Sequence, residues 1–261
     1  MSTIDFKGRK VLITGGTSGI GFSIAQELLA GGASIAVTGR STDRGLAAQD
    51  QLRKAASNAH FVLGDASTWS GAESSVTQAA RILGGIDTLV CAGAEGAVSP
   101  MLFMDMAPEQ LEASFTSRVL GRVFPVRAAV PFMRESAAGA IVLVTTDAGR
   151  HATPGESIVG ATGASVILLT KALAREFSRW AIPVNAIALT LTSDTPSYER
   201  IFSNPTFENH LFSKALRRFP AGRAPTSTEV SHAAVFLASD LASQITGQTI
   251  SVNGGLSFGG W

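Results

Sequence analysis

The run Thr14-Gly15-Gly16-Thr17-Ser18-Gly19-Ile20-Gly21 carries the clearest chemistry in this sequence. It follows the apolar stretch Val11-Leu12-Ile13 and leads into the amphipathic run Phe22-Ser23-Ile24-Ala25-Gln26-Glu27-Leu28-Leu29. Gly15 permits a tight turn, Gly19 lets the backbone close on a pyrophosphate, and Gly21 lets a helix lie close to a strand. With Thr17, Ser18 and Ile20 between them, these residues would turn the free N–H groups and positive dipole end of a helix toward the phosphates. Glycines also punctuate ordinary turns. The strand before and the helix after make this run a dinucleotide-binding signature.

The choice of dinucleotide falls to the tip of the second strand, Thr38-Gly39-Arg40-Ser41. An NAD site places an Asp or Glu there for the ribose 2′-hydroxyl, and no carboxylate occupies that tip. The Arg40 guanidinium could instead grip a 2′-phosphate, with a hydrogen bond from Ser41. Asp43 has the commoner role of supporting the start of the next helix. The sequence therefore favours NADP(H) over NAD(H).

These residues must be positioned by alternating strands and helices. Strands are expected at 11–14, 34–38, 60–63, 88–91, 140–145, 183–188 and 249–252, several of them nearly continuous apolar runs, as in strands buried on both faces. Helical patterns fall between them at 19–30, 42–57, 70–83, 108–134, 157–180 and 228–238. This alternation predicts an α/β fold of the Rossmann type: a doubly wound, parallel, seven-stranded sheet in one domain spanning residues 1–261. Residues 191–223 interrupt the pattern with Pro196, Pro205, Pro220 and scattered aromatics. An excursion of that length in a compact domain is expected to be a substrate loop or lid.

The Thr-Gly-x-x-x-Gly-x-Gly run resembles the cofactor motif of the short-chain dehydrogenase/reductase family. Other landmarks agree in order and spacing: Gly64-Asp65-Ala66-Ser67, Asp87-Thr88-Leu89-Val90-Cys91-Ala92-Gly93, Gly222-Arg223, Phe236-Leu237-Ala238-Ser239-Asp240, Ile245-Thr246-Gly247-Gln248 and Val252-Asn253-Gly254-Gly255. The resemblance spans essentially the whole chain. It implies an oxidoreductase in which Asp65 and Ala66 lie by the adenine and Cys91, Ala92 and Gly93 line the ribose. It also implies a homo-oligomer, tetramer or dimer, assembled through the fourth and fifth family helices.

The resemblance fails where the reaction would occur. The family protonates the developing alkoxide from a tyrosine whose pKa is lowered by a lysine one helical turn on, with a serine on the fifth strand and an asparagine on the fourth helix. At the corresponding positions stand Val159, Gly163, Thr146 and Arg118, and Leu189-Thr190 replaces the family's Pro-Gly. No Tyr-x-x-x-Lys occurs anywhere, since the single tyrosine, Tyr198, is followed four residues later by Phe202. Lys171 lies eight residues past Gly163, about 12 Å further along a helix axis. Losing a general acid removes a contribution of about 10²–10⁴-fold.

Ligands of open α/β sheets bind beyond the carboxyl ends of the strands. The ionisable or hydroxylic residues expected there are Glu95, Arg118, Thr146, Asp147, His151, Glu156 and Tyr198. His151 has the most suitable unperturbed pKa for a replacement acid, although a solvated loop histidine is the blander reading. Tyr198 could swing in from the lid. Asp147 could act only with a pKa raised by burial, and Arg118 could pair with Asp147 or Glu156 or bind an anionic substrate. The candidate catalytic set is Thr146, His151 and Tyr198. Cys91 reads more simply as a small buried hydrophobe than as a nucleophile, and the four histidines show no metal-ligand spacing, so no metal is expected.

Three functions remain open: an NADP(H)-dependent oxidoreductase with a non-standard acid or a substrate needing none, a catalytically inactive cofactor-binding subunit or sensor, and a non-redox enzyme on the same fold. The aromatic residues after Tyr198 suggest a small apolar substrate. With 21 Lys and Arg against 20 Asp and Glu, no nucleic-acid partner is expected. One cysteine, no apolar leader at Met1-Ser2-Thr3-Ile4 and no uninterrupted apolar stretch of roughly 18 residues suit a cytoplasmic protein without a membrane span.

Overall fold

The computed structural model describes residues 4–93, 99–136 and 139–258. Seven strands, β1 (Lys10–Thr14), β2 (Ser34–Gly39), β3 (Ala59–Leu63), β4 (Thr88–Cys91), β5 (Ala140–Thr146), β6 (Val184–Leu189) and β7 (Thr249–Val252), form one sheet in the order β3-β2-β1-β4-β5-β6-β7. Every neighbouring pair is parallel. The order reverses between β1 and β4, so a crevice opens at their carboxyl ends, where open α/β sheets bind ligands.

Side-chain alternation along the strands divides the core into two layers. Val11 and Ile13 of β1 point to one face and join Ile24 and Leu28 of α1 (Gly19–Ala30), Leu52 of α2 (Thr42–Arg53), and Val230 and Val235 of α9 (Ser227–Ala238). Leu12, between them, points to the other face. There it joins Val76 of α3 (Trp69–Leu83), Val126 of α5 (Gly121–Met133) and Val166 of α6 (Ser157–Phe177). Burial on both faces is why these strands read as unbroken apolar runs.

Three segments depart from the expected pattern. The single helix expected at 108–134 is α4 (Pro108–Phe115), a π-helical turn (Thr116–Leu120) and then α5. That break falls shortly before Pro125, which has no N–H to continue the ladder. The helix expected to reach residue 57 ends at Arg53. Residues 191–223 are not one irregular loop: they contain α7 (Pro196–Ser203) and α8 (Phe207–Leu216), and Ile201, Leu191, Phe219 and Ala224 form a small core of their own. α6 is long and apolar enough to cross a membrane by composition alone. Here it lies along β5 and β6 with Thr162 and Thr170 buried.

Candidate active site

At the reversal of strand order a cavity of about 780 Å³ opens beyond the strand ends, within the size of small-molecule sites. Gly15 sits at φ +71°, and a Cβ there would lie 2.3 Å from the Cα of Gly93. A Cβ on Gly21 would lie 2.3 Å from the Gly15 carbonyl oxygen. Neither position admits a side chain, so the loop stays flat against β4 and leaves room at the N-terminus of α1. This cradle fits a dinucleotide pyrophosphate.

Of the residues expected to bind cofactor, Gly15, Thr17, Ser18, Gly19, Ile20, Gly21, Arg40, Asp65, Ala66, Ala92 and Gly93 all line this cavity. Asp65 accepts from the Ser67 backbone N–H (2.9 Å) and hydroxyl (2.6 Å), and the Arg40 guanidinium lies 4.0 Å from its other oxygen. Two of the expected residues lie outside this cavity. Ser41 stands outside the lining, because its hydroxyl accepts from the Arg44 N–H and caps α2. Cys91 is fully buried and outside the lining too: strand alternation turns it with Leu89 into the opposite core layer. Burial pushes its thiol up to about 12, against the opposing charge of Arg122 and a hydrogen bond with Thr14. That thiol is inert as a nucleophile.

Sequence reasoning missed Arg44, which lines the cavity beside Arg40. The signal was present, since Arg44 stands in the first turn of α2, directly after the tip that carries Arg40.

The reaction end lies between β5, α6 and the α7–α8 segment. Thr146 lines it, and its Oγ1 accepts from the Ala148 N–H (3.2 Å), leaving the hydroxyl proton free to donate to a ligand. Val159 and Gly163, one turn apart on α6, face the same space. Tyr198 also reaches the lining, and its ring lies 4.6 Å from that of Phe202. His151 does not, because the chain after β5 runs toward β7, where Arg150 donates to the Ser251 hydroxyl (2.8 Å) and the Thr249 carbonyl (2.6 Å). Asp147 is likewise diverted: its carboxylate accepts from Ser251 (2.7 Å), Asn253 (2.6 Å) and Ser257. Glu95 lies outside the described residues.

Arg118, on the π-helical turn, enters the cavity with Glu156 and Glu208. Burial lowers its guanidinium pKa, and the charges of those two carboxylates oppose the shift. Glu208 is 6% exposed and paired through both oxygens with Arg200 (2.6 and 3.0 Å). The Glu156 carboxyl is raised by burial and by Glu208, against a hydrogen bond from Thr153 and the charge of Arg118. The wall around Tyr198, Ile201 and Phe212 is therefore charged as well as apolar. Arg122, 4% exposed, spans the cavity floor, with Nε and Nη2 donating to Val144 O (3.1 and 2.8 Å) and Nη1 to Gly93 O (2.7 Å) and Ser117 O (3.3 Å). No cluster of metal ligands occurs among the described residues.

A family model described as enoyl-(acyl carrier protein) reductase matches residues 15–257. The chain belongs to the short-chain dehydrogenase/reductase family. It is 32% identical over 252 residues to the 3-oxoacyl-[acyl-carrier-protein] reductase FabG of Chlamydia muridarum, covering 95% of this chain and 97% of that one. It is similar to a short-chain dehydrogenase/reductase from Mycobacterium ulcerans with a TM-score of 0.88 and 26% identity, over 97% and 91% of the two chains. An NADPH-bound short-chain oxidoreductase from Pseudomonas aeruginosa PAO1, described as containing an atypical catalytic center, matches with a TM-score of 0.89 and 28% identity over 98% and 100%. At family level these proteins are NAD(P)-dependent oxidoreductases.

Proposed function

We propose that this protein is an NADP(H)-binding oxidoreductase of the short-chain type with a non-standard active site, in which Val159 and Gly163 stand where the family's tyrosine and lysine belong. The observation that carries this reading is one cavity with an intact glycine cradle, two arginines at one end and Thr146 at the other. When bound, the nicotinamide would supply hydride chemistry. The chain's own contribution is to hold the dinucleotide on the α1 terminus and to offer the Thr146 hydroxyl to a substrate oxygen. The cofactor of the Pseudomonas aeruginosa relative agrees with NADP(H). The α7–α8 segment is the lid over a small-molecule substrate. Assembly into a dimer or tetramer would use α5 and α6, where Leu168 is 68% exposed.

Arg40 and Arg44 are the 2′-phosphate clamp of this reading, since no carboxylate stands at the tip of β2. Each charge-assisted contact is worth about 1.5 kcal/mol. Fluorescence titration is therefore expected to show NADPH affinity falling about 10-fold in Arg40→Ala and again in Arg44→Ala, with NADH affinity unchanged. Equal losses for both nucleotides would remove the 2′-phosphate assignment. No binding of either by the unaltered protein would remove the oxidoreductase reading.

A second reading, an inactive cofactor-binding subunit or sensor, draws on one observation. A Cβ on Gly163 would lie 2.6 Å from Thr146 Cγ2, so α6 closes the space a lysine would need. Tight NADPH binding without reduction of any carbonyl or enoyl compound would favour it.

A further inference from the structure

We propose that Glu156 is the proton donor of this site, delivering its carboxyl proton to the substrate oxygen across the wall where Val159 offers none. The proposal rests on the oxidoreductase reading above.

Glu156 is the residue before α6, three positions ahead of Val159. Both line the cavity, together with Thr146 on the adjoining strand end. Glu156 therefore lines the reaction end at the start of the helix that carries Val159.

The other candidates are occupied or elsewhere. His151 is outside the lining. Asp147 is held by three donors from the C-terminal segment. Both oxygens of Glu208 are taken up by the two-point contact with Arg200, which leaves neither free for a substrate. Arg118 is a cation that keeps its protons. Tyr198 packs its ring against Phe202 on the α7 helix.

The groups facing Glu156 from other elements suit the role. Among the described residues they are Arg118 from the π-helical turn, Glu208 from α8 with its Arg200 partner from α7, and Tyr198 from α7. Burial and the Glu208 charge favour the protonated carboxyl, which brings it toward working pH, as a general acid requires. Arg118 is placed to stabilise the carboxylate left behind.

When bound, a reduced nicotinamide would supply hydride, with its two electrons, to the carbonyl carbon. The C=O π bond breaks, and its electrons take the proton from the Glu156 O–H. The product is an alcohol, the dinucleotide is left oxidised, and the Glu156 carboxylate recovers its proton from solvent.

Three measurements on the full chain test this, using the unaltered protein, Glu156→Gln and Glu156→Asp. The infrared difference spectrum between the unaltered protein and Glu156→Gln is expected to contain a protonated-carboxyl band that persists above the ordinary carboxyl range and fades as pH rises. NADPH binding is expected to be the same in all three. With NADPH bound, single-turnover reduction of phenanthrenequinone or an acetoacetyl thioester is expected to slow about 100-fold or more in Glu156→Gln, with Glu156→Asp between. Because the acid form acts, the unaltered rate falls as pH rises through the raised pKa, and Glu156→Gln loses that limb. Burial opposes the Glu156 charge, so the glutamine variant keeps its fold at neutral pH. A carboxylate band alone, or a Glu156→Gln rate within about 3-fold, would overturn the proposal while leaving the oxidoreductase reading standing. An unaltered protein that binds no NADPH, or reduces neither carbonyl, would bring down that reading and this proposal with it.

Discussion

Replacing Arg122 by alanine is expected to cost about 4 kcal/mol of stability, the largest loss of any single change near this site. Three carbonyls, of Val144, Gly93 and Ser117, accept from that guanidinium. Each acceptor left without a donor costs about 1–3 kcal/mol, and the cavity left behind adds to it. The opposing term is desolvation: burial lowers the guanidinium pKa to about 10, so the charge is held at a cost. The hydrogen bonds win because removing the side chain takes a charged donor from all three acceptors at once. Lysine offers one nitrogen in place of a planar fork and recovers only part of the loss. Thermal melting checks this directly: a fall of about 10 °C is expected for Arg122→Ala in a domain of this size. A variant melting within about 2 °C of the unaltered protein would show that water or backbone shifts replace the arginine.

Local signals made the fold legible. Each strand starts and ends within about one residue of its expected run. The inner strands β1, β2, β4, β5 and β6 are buried on both faces, which admits little but apolar residues. The glycine run was equally legible, since the close approaches of Gly15 and Gly21 allow no other residue. What the sequence hid lies in contacts between distant segments. Arg200 and Glu208 meet across two helices of the α7–α8 segment, and no spacing rule announces it. Arg122 reads as a charge in an apolar helix until its three acceptors are in place. Cys91 and His151 stand away from the cavity for different reasons. Alternation turns Cys91 under the sheet, and the hydrogen bonds from Arg150 to the β7 strand carry the chain at His151 away from the crevice.

Putting the family's catalytic pair back, as Val159→Tyr with Gly163→Lys, is expected to destabilise the protein by about 3 kcal/mol without producing the family's reaction. Val159 faces the cavity and has space in front of it, so tyrosine alone is tolerated. Gly163 is different. A Cβ there would lie 2.6 Å from Thr146 Cγ2 and 3.2 Å from the backbone of Gly149, and one on Gly149 would lie 2.5 Å from the Ala164 nitrogen. Helix and turn thus meet backbone to backbone. Replacing a helical glycine gains about 1 kcal/mol in propensity, but overpacking a closed contact costs about 1–3 kcal/mol for far smaller additions than a lysine. Thr146 cannot simply rotate away, because its hydroxyl is fixed by the Ala148 N–H. Its methyl is the removable part of the clash. Thr146→Ser, which keeps the hydroxyl, is expected to return part of the melting temperature lost in Gly163→Lys while changing the unaltered protein little. The family's serine and lysine then go together sterically, as do threonine and glycine here: the methyl at 146 fills the space that the missing side chain at 163 leaves. Melting curves that show Gly163→Lys no less stable than the unaltered protein, or no relief from Thr146→Ser, would separate the two positions.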